Sequence, residues 1–173
     1  MTDLIQADKQ ARQLRRQFSP DVFPVDVAMI AKCVGIRVER LPLDDDLSGM
    51  AFIKGGNKVI VVNKYHHINR RRFTIAHELG HHCLHSSYLT NNVHVDKVVL
   101  RRDQFSSEGV DDKERQANAF AAELLMPASE LRKWAKVDIN DDITVAMLAK
   151  KLRVSTAALT FRLTNLGHTA AAN

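Results

Sequence analysis

The run His-Glu-Leu-Gly-His at positions 77–81 is the most informative part of the sequence, because histidines four residues apart lie side by side on an α-helix. The surrounding stretch, residues 68–87, has no proline and spaces its apolar residues as a helix does. His77 and His81 then lie about 40° apart around the axis and can both reach one ion, with bonds of about 2.0–2.1 Å. Glu78 is offset by about 100° and can accept a proton from water beside the metal. The spacing predicts a metal site, with a chance match as the alternative.

A catalytic zinc usually has three protein ligands and one open position, so a third ligand is needed. His85 follows His77 by eight residues, a rise of about 12 Å along a continuous helix, which is too far for one ion. The pattern HExxHxxGxxH turns at a glycine after the second histidine, but Leu84 stands there. His82 points to a different face of the helix. We therefore expect the third ligand to come from elsewhere in the chain.

The best candidates for that ligand lie on a second helix, predicted over DDKERQANAFAAELLMP. Glu114 and Asn118 stand four residues apart on one face. A carboxylate oxygen of Glu114 can bind the metal, and Asn118 can accept a hydrogen bond from the free ring N–H of a ligating histidine. Glu123 is a rival, half a turn out of phase with Glu114, and Glu108 and Asp111 are further alternatives. Glu114 could also be an ordinary acid that the helix dipole stabilises.

Composition sets the broad class of protein. The chain has 173 residues, a formal charge of +5 and 45% apolar residues, which fits one domain with its own core. No apolar stretch approaches the roughly 20 residues of a membrane span, and the first residues lack a secretory apolar run. Two cysteines, Cys33 and Cys83, are too few for a disulfide framework. We therefore expect a cytoplasmic protein, and the modest charge does not by itself imply nucleic acid.

The pattern along the chain predicts an α+β fold in a single domain over residues 1–173. A small, mainly antiparallel sheet is expected to pack on the HExxH helix and the following ligand helix, with a helical subdomain at the C-terminal end. Gly55-Gly56-Asn57 between two apolar runs is the clearest hairpin signal. Residues 87–112 lack strong periodicity and predict a long loop. The predicted parts are N-terminal helices (1–35), the sheet (36–63), metal-site helices (67–136) and a C-terminal helical hairpin (138–167).

Two motifs together carry a family likeness. The run RRRFTIAHELGHHCLH, followed by ERQANAFAAELLMP, resembles the ImmA/IrrE-type zinc metallopeptidases of bacteria and their phages. The likeness covers about residues 20–167. It implies a gluzincin in which His77, His81 and Glu114 bind zinc and Glu78 is the catalytic base. Asn118 stands where such enzymes often carry an acidic residue beside the ligands, and the spacing between the two motifs is often shorter in relatives.

The resemblance also implies a role in gene regulation. Members often cut helix-turn-helix repressors, and we expect a substrate of this kind from a mobile element, a toxin-antitoxin-like pair or a stress response. The expected cofactor is Zn²⁺, although a site of two histidines and a carboxylate also accepts other divalent ions such as Mn²⁺. The hairpin before the metal helix suggests that an exposed edge strand of the 36–63 sheet holds an extended substrate. Candidates for the oxyanion-stabilising donor are Tyr65, Arg70, His82 and His85.

Two other functions compete with the peptidase. The run LAKKLRVSTAALTFRL predicts two short helices around a tight turn, and direct DNA binding through Lys150, Lys151, Arg153 and Arg162 is the less favoured reading. Arg153 stands where such a turn usually has glycine, and the second helix has few strong base-reading side chains. The last alternative is a zinc-containing regulatory or interaction protein without catalysis, since the same residues would serve binding.

Overall fold

The computed structural model describes residues 2–97, 108–134 and 141–167. Its fold class is the predicted one, α+β, which is confirmed. Among the helices of these ranges, none is both long and apolar enough to cross a membrane. The strands are β1 (Ile36–Leu41), β2 (Leu47–Lys54), β3 (Asn57–Asn63) and β4 (His94–Lys97). The helices are α1 (Thr2–Phe18), α2 (Val27–Cys33), α3 (Ile68–Leu84), α4 (Ser86–Asn91), α5 (Glu108–Leu125), α6 (Ala128–Leu131), α7 (Asp142–Leu152) and α8 (Thr156–Asn165), and a 3₁₀ turn (Arg132–Trp134) follows α6.

The four strands form one mixed sheet in the order β1-β3-β2-β4. The predicted hairpin is present: β2 and β3 are antiparallel, and Gly55 and Gly56 between them both have positive φ, of 56° and 79°. The first strand, β1, instead runs parallel to β3. On the other side, β2 pairs with β4 in antiparallel fashion. The hairpin therefore lies inside the sheet, and the two edge strands are β1 and β4.

The segment predicted as a long loop, residues 87–112, contains regular structure in its described part. It holds most of α4, all of β4 and the start of α5, which begins at Glu108. Residues 98–107 lie outside the described part of the chain. A strand of only four residues is too short to show a convincing alternation of apolar and polar residues. In β4 the alternation amounts to Val95 between His94 and Asp96. The sheet thus extends beyond residue 63, and a strand lies in the segment that was expected to include a long loop between the two metal-site helices.

The central element of the core is α3, which contacts β2 and β3 on one side and α5 on another. Residues from Thr74 to His82 are all buried, which is unusual for a helix that carries so many polar groups. The N-terminal helix α1 packs against α5, and its Ala7 and Ala11 are fully buried. Because α3 is enclosed in this way, the motif at positions 77–81 lies in the interior of the protein rather than on its surface.

Two glycines set how closely the neighbours approach α3. A Cβ atom added at Gly80 would lie 3.2 Å from the Cα atom of Ala117 and 3.2 Å from Cδ1 of Phe120, both on α5. One added at Gly49 of β2 would lie 2.5 Å from Cγ2 of Thr74 and 2.7 Å from the carbonyl oxygen of Val61. The missing side chains therefore let α5 and β2 reach α3 at distances that larger residues would prevent.

A buried carboxylate on α5 pairs with arginines of the first and last helices, α1 and α8. Glu123 is 1% exposed, and Oε1 accepts a hydrogen bond from Nε of Arg12 on α1 at 3.0 Å. Its other oxygen accepts from the guanidinium of Arg162 on α8 and from the backbone N–H of Ala128. Both oxygens of this buried carboxylate therefore have partners, which offsets the cost of removing it from water.

The C-terminal helices α7 and α8 have well-defined ends. The Asp141 side chain accepts hydrogen bonds from the N–H groups of Ile143 and Thr144, at 3.1 and 3.2 Å, and so caps α7. Ser155 caps α8 in the same way through Ala158 N–H at 3.1 Å. Between the two helices Arg153 has φ 51°, the left-handed conformation that glycine adopts more easily. The position that lacks the expected glycine is thus still a left-handed turn.

Candidate metal centre

The histidines of the motif converge inside the protein. His77 is fully buried, His81 is 1% exposed, and their Nε2 atoms lie 3.1 Å apart on the face of α3 toward α5. The helix starts after His67, whose ring accepts a hydrogen bond from the N–H of Asn69, and it contains no proline to interrupt this face. Burial lowers the pKa of His81 to about 3, so its ring is neutral at neutral pH. A neutral imidazole is the form that binds a metal.

Glu114 of α5 completes a compact set of donor atoms with these histidines. Its Oε2 lies 3.3 Å from Nε2 of His77, and its Oε1 lies 3.2 Å from Nε2 of His81. Bonds of about 2.0–2.1 Å to a tetrahedral ion would separate the ligand atoms by roughly 3.3 Å. Burial alone would raise the pKa of the Glu114 carboxyl, but hydrogen bonding with His77 and His81 holds it below its ordinary value. The separations and the donor set fit a divalent cation.

Asn118 lies one turn after Glu114 and contacts the far side of a histidine ring. Its Oδ1 is 3.1 Å from Nδ1 of His77. With Asn118 as the acceptor, Nδ1 carries the proton and Nε2 presents its lone pair to the other donor atoms. When both Nε2 atoms are unprotonated, two imidazole nitrogens and a carboxylate face one another at 3.1–3.3 Å, and a bound cation would offset the repulsion among these three acceptors.

A third histidine joins the group. His94 of β4 stacks on the ring of His81 with centroids 3.8 Å apart, and its Nδ1 lies 3.5 Å from Oε1 of Glu114. One ligand atom from each of His77, His81, His94 and Glu114 lies within 4.8 Å of the others, and these four residues are called the metal cluster below. Sequence reasoning missed His94 because it fell in the segment predicted as a loop. To place His94 near the metal cluster, residues 94–97 would have had to be recognised as a strand that pairs with β2.

Glu78 lies beside the metal cluster without joining it. It is fully buried, and neither carboxylate oxygen has a hydrogen-bond partner among the described residues. The nearest base is His94, with Nε2 3.8 Å from Oε1 of Glu78. Burial raises the pKa of Glu78 well above its usual range, and the carboxylates of Asp96 and Glu114 raise it further. A carboxylate in these surroundings accepts a proton readily.

The other predicted candidates lie away from the metal cluster or are occupied. His82 directs Nε2 to the carbonyl oxygen of Val59 at 3.0 Å, and His85 hydrogen-bonds to the backbone of Lys113. Glu123 is held by its two arginines, as described above. The side chains of Glu108 and Asp111 lie outside the described part of the structure.

The groups considered as oxyanion donors have no common location. Tyr65 is 67% exposed, and Arg70 donates to Oγ of Ser48 at 2.8 Å. His82 has the backbone partner given above. The ring of His85 lies 5.4 Å from that of His81, and its Nε2 is buried without a hydrogen-bond partner among the described residues. Of the four, His85 is the one that the structure places against a residue of the metal cluster.

Comparison with known proteins relates the chain to a peptidase family. The family model for the IrrE N-terminal-like domain matches residues 31–164, which contain the whole metal cluster. A curated relative is the uncharacterized immunity region protein 2 of Bacillus phage phi105. It is 32% identical over 117 residues, which cover 67% of this chain and 68% of the phage protein.

One solved structure matches the fold over nearly the whole chain. It is a transcriptional regulator from Mycobacterium tuberculosis, with a TM-score of 0.61 and 23% sequence identity. The match covers 92% of this chain but only 46% of the other, so the chain spans just under half of that protein's length. At this identity the likeness concerns the fold alone.

Proposed function

Since the chain belongs to the peptidase family of the IrrE N-terminal-like domain, as its two motifs predicted, we propose that it is a zinc-dependent endopeptidase of the gluzincin type. Zn²⁺ is the proposed ion, with Mn²⁺ or another divalent ion as the alternative. The observation that carries the proposal is the spacing of 3.1–3.3 Å among the donor atoms of His77, His81 and Glu114, beside the buried carboxylate of Glu78.

The roles follow from these positions. His77, His81 and Glu114 would hold the ion, and Asn118 would orient the ring of His77 through Nδ1. A zinc ion there supplies Lewis-acid chemistry, which polarises a scissile carbonyl and lowers the pKa of water to about 7. Glu78 takes the proton of the attacking water on its carboxylate and passes it to the nitrogen of the leaving amine. Its burial keeps this proton transfer away from bulk solvent.

The proposed substrate is a helix-turn-helix transcriptional regulator of a mobile element, a toxin-antitoxin-like pair or a stress response. Two considerations support it: the family carries the peptidase description, and a phage relative is named for an immunity region. A substrate of this kind acts on DNA inside the cell, so the cytoplasm is the proposed location. The two described cysteines, Cys33 and Cys83, are both free, which fits that location.

The test is Glu78→Gln, which keeps the size of the side chain and removes the base. The variant and wild type are incubated with the transcription regulator encoded beside this gene, with and without chelator, and fragments are identified by mass spectrometry. We expect the variant to keep its zinc and to lose about 10²–10⁴-fold in cleavage rate. Glu39→Gln, on β1, is the matched control and should cleave normally. Full cleavage or full biological activity in Glu78→Gln would contradict the peptidase proposal and favour a non-catalytic zinc protein.

Direct DNA binding receives less support from the side chains that it requires. Arg162 pairs with Glu123 and is 11% exposed, and Lys151 pairs with Glu130 at 3.3 Å. Two of the four cations proposed for phosphate contact therefore already have carboxylate partners. Direct DNA binding would be supported if the full chain bound duplex DNA in a salt-dependent way and substitution of Lys150 and Arg153 abolished that binding.

A further inference from the structure

The strand β4 occupies the edge of the sheet nearest the proposed zinc site. It pairs with β2 in antiparallel register, with Ala51 opposite His94 and Met50 opposite Val95. Addition of a strand to an exposed sheet edge is one recurring way in which a protein holds an extended peptide. In this structure the chain's own residues 94–97 take that place on β2.

The same strand brings a fourth donor to the metal cluster. His94 and Asp96 point to one face of β4 because alternate residues of a strand share a face, and both are largely buried. Nδ1 of His94 is the nitrogen directed at the other ligands, 3.5 Å from Oε1 of Glu114, whereas Nε2 lies 3.8 Å from Oε1 of Glu78. A zinc ion with four protein ligands is typical of structural sites, whereas a catalytic site keeps one position for water or substrate.

We propose that β4 is an inhibitory strand: it covers the substrate-binding edge of β2 and supplies His94 as a fourth ligand, so that the structure described is a latent form. This inference rests on the proposed peptidase function. Activation then requires an extended segment of the substrate to replace β4 along β2. The substrate residue opposite Ala51 would take the place of His94.

Several features of β4 and its surroundings favour its displacement by a substrate segment. The strand has only four residues, and its register with β2 is irregular between Leu47 and Gly49. Val93, just before it, is 54% exposed and contributes little burial. As an edge strand, β4 is paired on one side only, whereas β2 is also paired with β3 over Gly49–Lys54.

The test measures whether His94 blocks the fourth coordination position of the metal. The full chain is loaded with Co²⁺, and acetohydroxamate, a small metal-binding anion, is titrated while the visible spectrum of the metal is recorded. We expect His94→Ala to bind acetohydroxamate at least about tenfold more tightly than wild type, because a site that is open in a tenth of molecules loses tenfold in apparent affinity. His66→Ala removes a histidine outside the metal cluster and should behave as wild type.

A second variant weakens the strand without removing the ligand His94, so the two effects can be distinguished. Val95→Gly keeps His94 but weakens β4, because a glycine inside a strand has no side chain to pack and loses more conformational freedom, and this variant should also bind acetohydroxamate more tightly. Circular dichroism and metal content establish that each variant is folded and loaded. Equal affinity in wild type and both variants overturns the proposal. So does a His94→Ala variant that binds the probe as wild type does but cleaves more slowly, because His94 would then act on the substrate.

Failure of the inhibitory strand and failure of the peptidase proposal give different results. If both variants open the metal position and neither cleaves any regulator, His94 is a fourth ligand held by β4, but the proposed function fails and the inhibitory role fails with it. If wild type cleaves the regulator as fast as His94→Ala and binds the probe equally well, the proposed function stands and the inhibitory strand is excluded.

Discussion

The close contact between α3 and α5 makes Gly80 the most informative position for mutation. In Gly80→Ala the new Cβ would lie 3.2 Å from the Cα atom of Ala117 and 3.2 Å from Cδ1 of Phe120. Neither neighbour yields easily, because the first is backbone and Phe120 is fully buried. The two helices must therefore separate by a few tenths of an ångström.

Two opposing effects set the change in stability. Replacing a helical glycine by alanine favours folding by about 0.5–1 kcal/mol. Overpacking a tight core costs about 1–3 kcal/mol. We expect a net loss of roughly 1 kcal/mol, or about 2–4 °C in Tm for a chain of this size.

The effect on the proposed zinc site should exceed the effect on stability. Glu114 and Asn118 lie one residue to one turn from Ala117 on α5, so a displaced helix moves both away from His77 and His81. We expect zinc affinity to fall on the order of tenfold, measured by competition with a fluorescent chelator. Phe120→Leu should partly restore both quantities in the double variant, which a double-mutant cycle would detect. A Gly80→Ala protein that is more stable than wild type and binds zinc normally would refute the argument.

Three further predictions follow from other contacts. Asn118→Ala should weaken zinc binding by about 10–100-fold in chelator competition, because the ring of His77 loses its acceptor; unchanged affinity would count against the orienting contact. Glu123→Gln should reduce the free energy of unfolding in urea by about 3–5 kcal/mol, since Arg162 is left buried beside a neutral amide, and a loss below about 1 kcal/mol would mean that the pair is dispensable. Arg153→Gly should raise stability by about 0.5–1 kcal/mol, because glycine adopts φ 51° without strain; a lower Tm in a thermal scan would contradict this.

The helical parts of the site could be predicted because their signals are local. Two histidines four residues apart in a proline-free stretch specify one face of a helix, and Glu114 and Asn118 repeat the same interval on the next. The glycine pair between two apolar runs likewise specifies the hairpin of β2 and β3. Each of these inferences needs only a few neighbouring residues.

The other features of the fold and the site depend on contacts between residues that are far apart in the sequence. The parallel pairing of β1 with β3 cannot be read from the alternation of Ile36 and Val38, since both kinds of neighbour give the same period. The four residues of β4 are too short to show a period, so His94 could not be placed near His81 from sequence. The role of Glu123 was also hidden, because its partners on α1 and α8 lie far away along the chain.

The first helix has a practical consequence for anyone who shortens this chain. The family match begins at residue 31, yet α1 buries Ala7 and Ala11 completely and sends Arg12 to Glu123. A protein trimmed to the matched segment would keep every residue of the metal cluster but would expose the apolar outer side of α5 to water. A shortened version made for expression should therefore include residues 2–18, although they lie outside the matched segment.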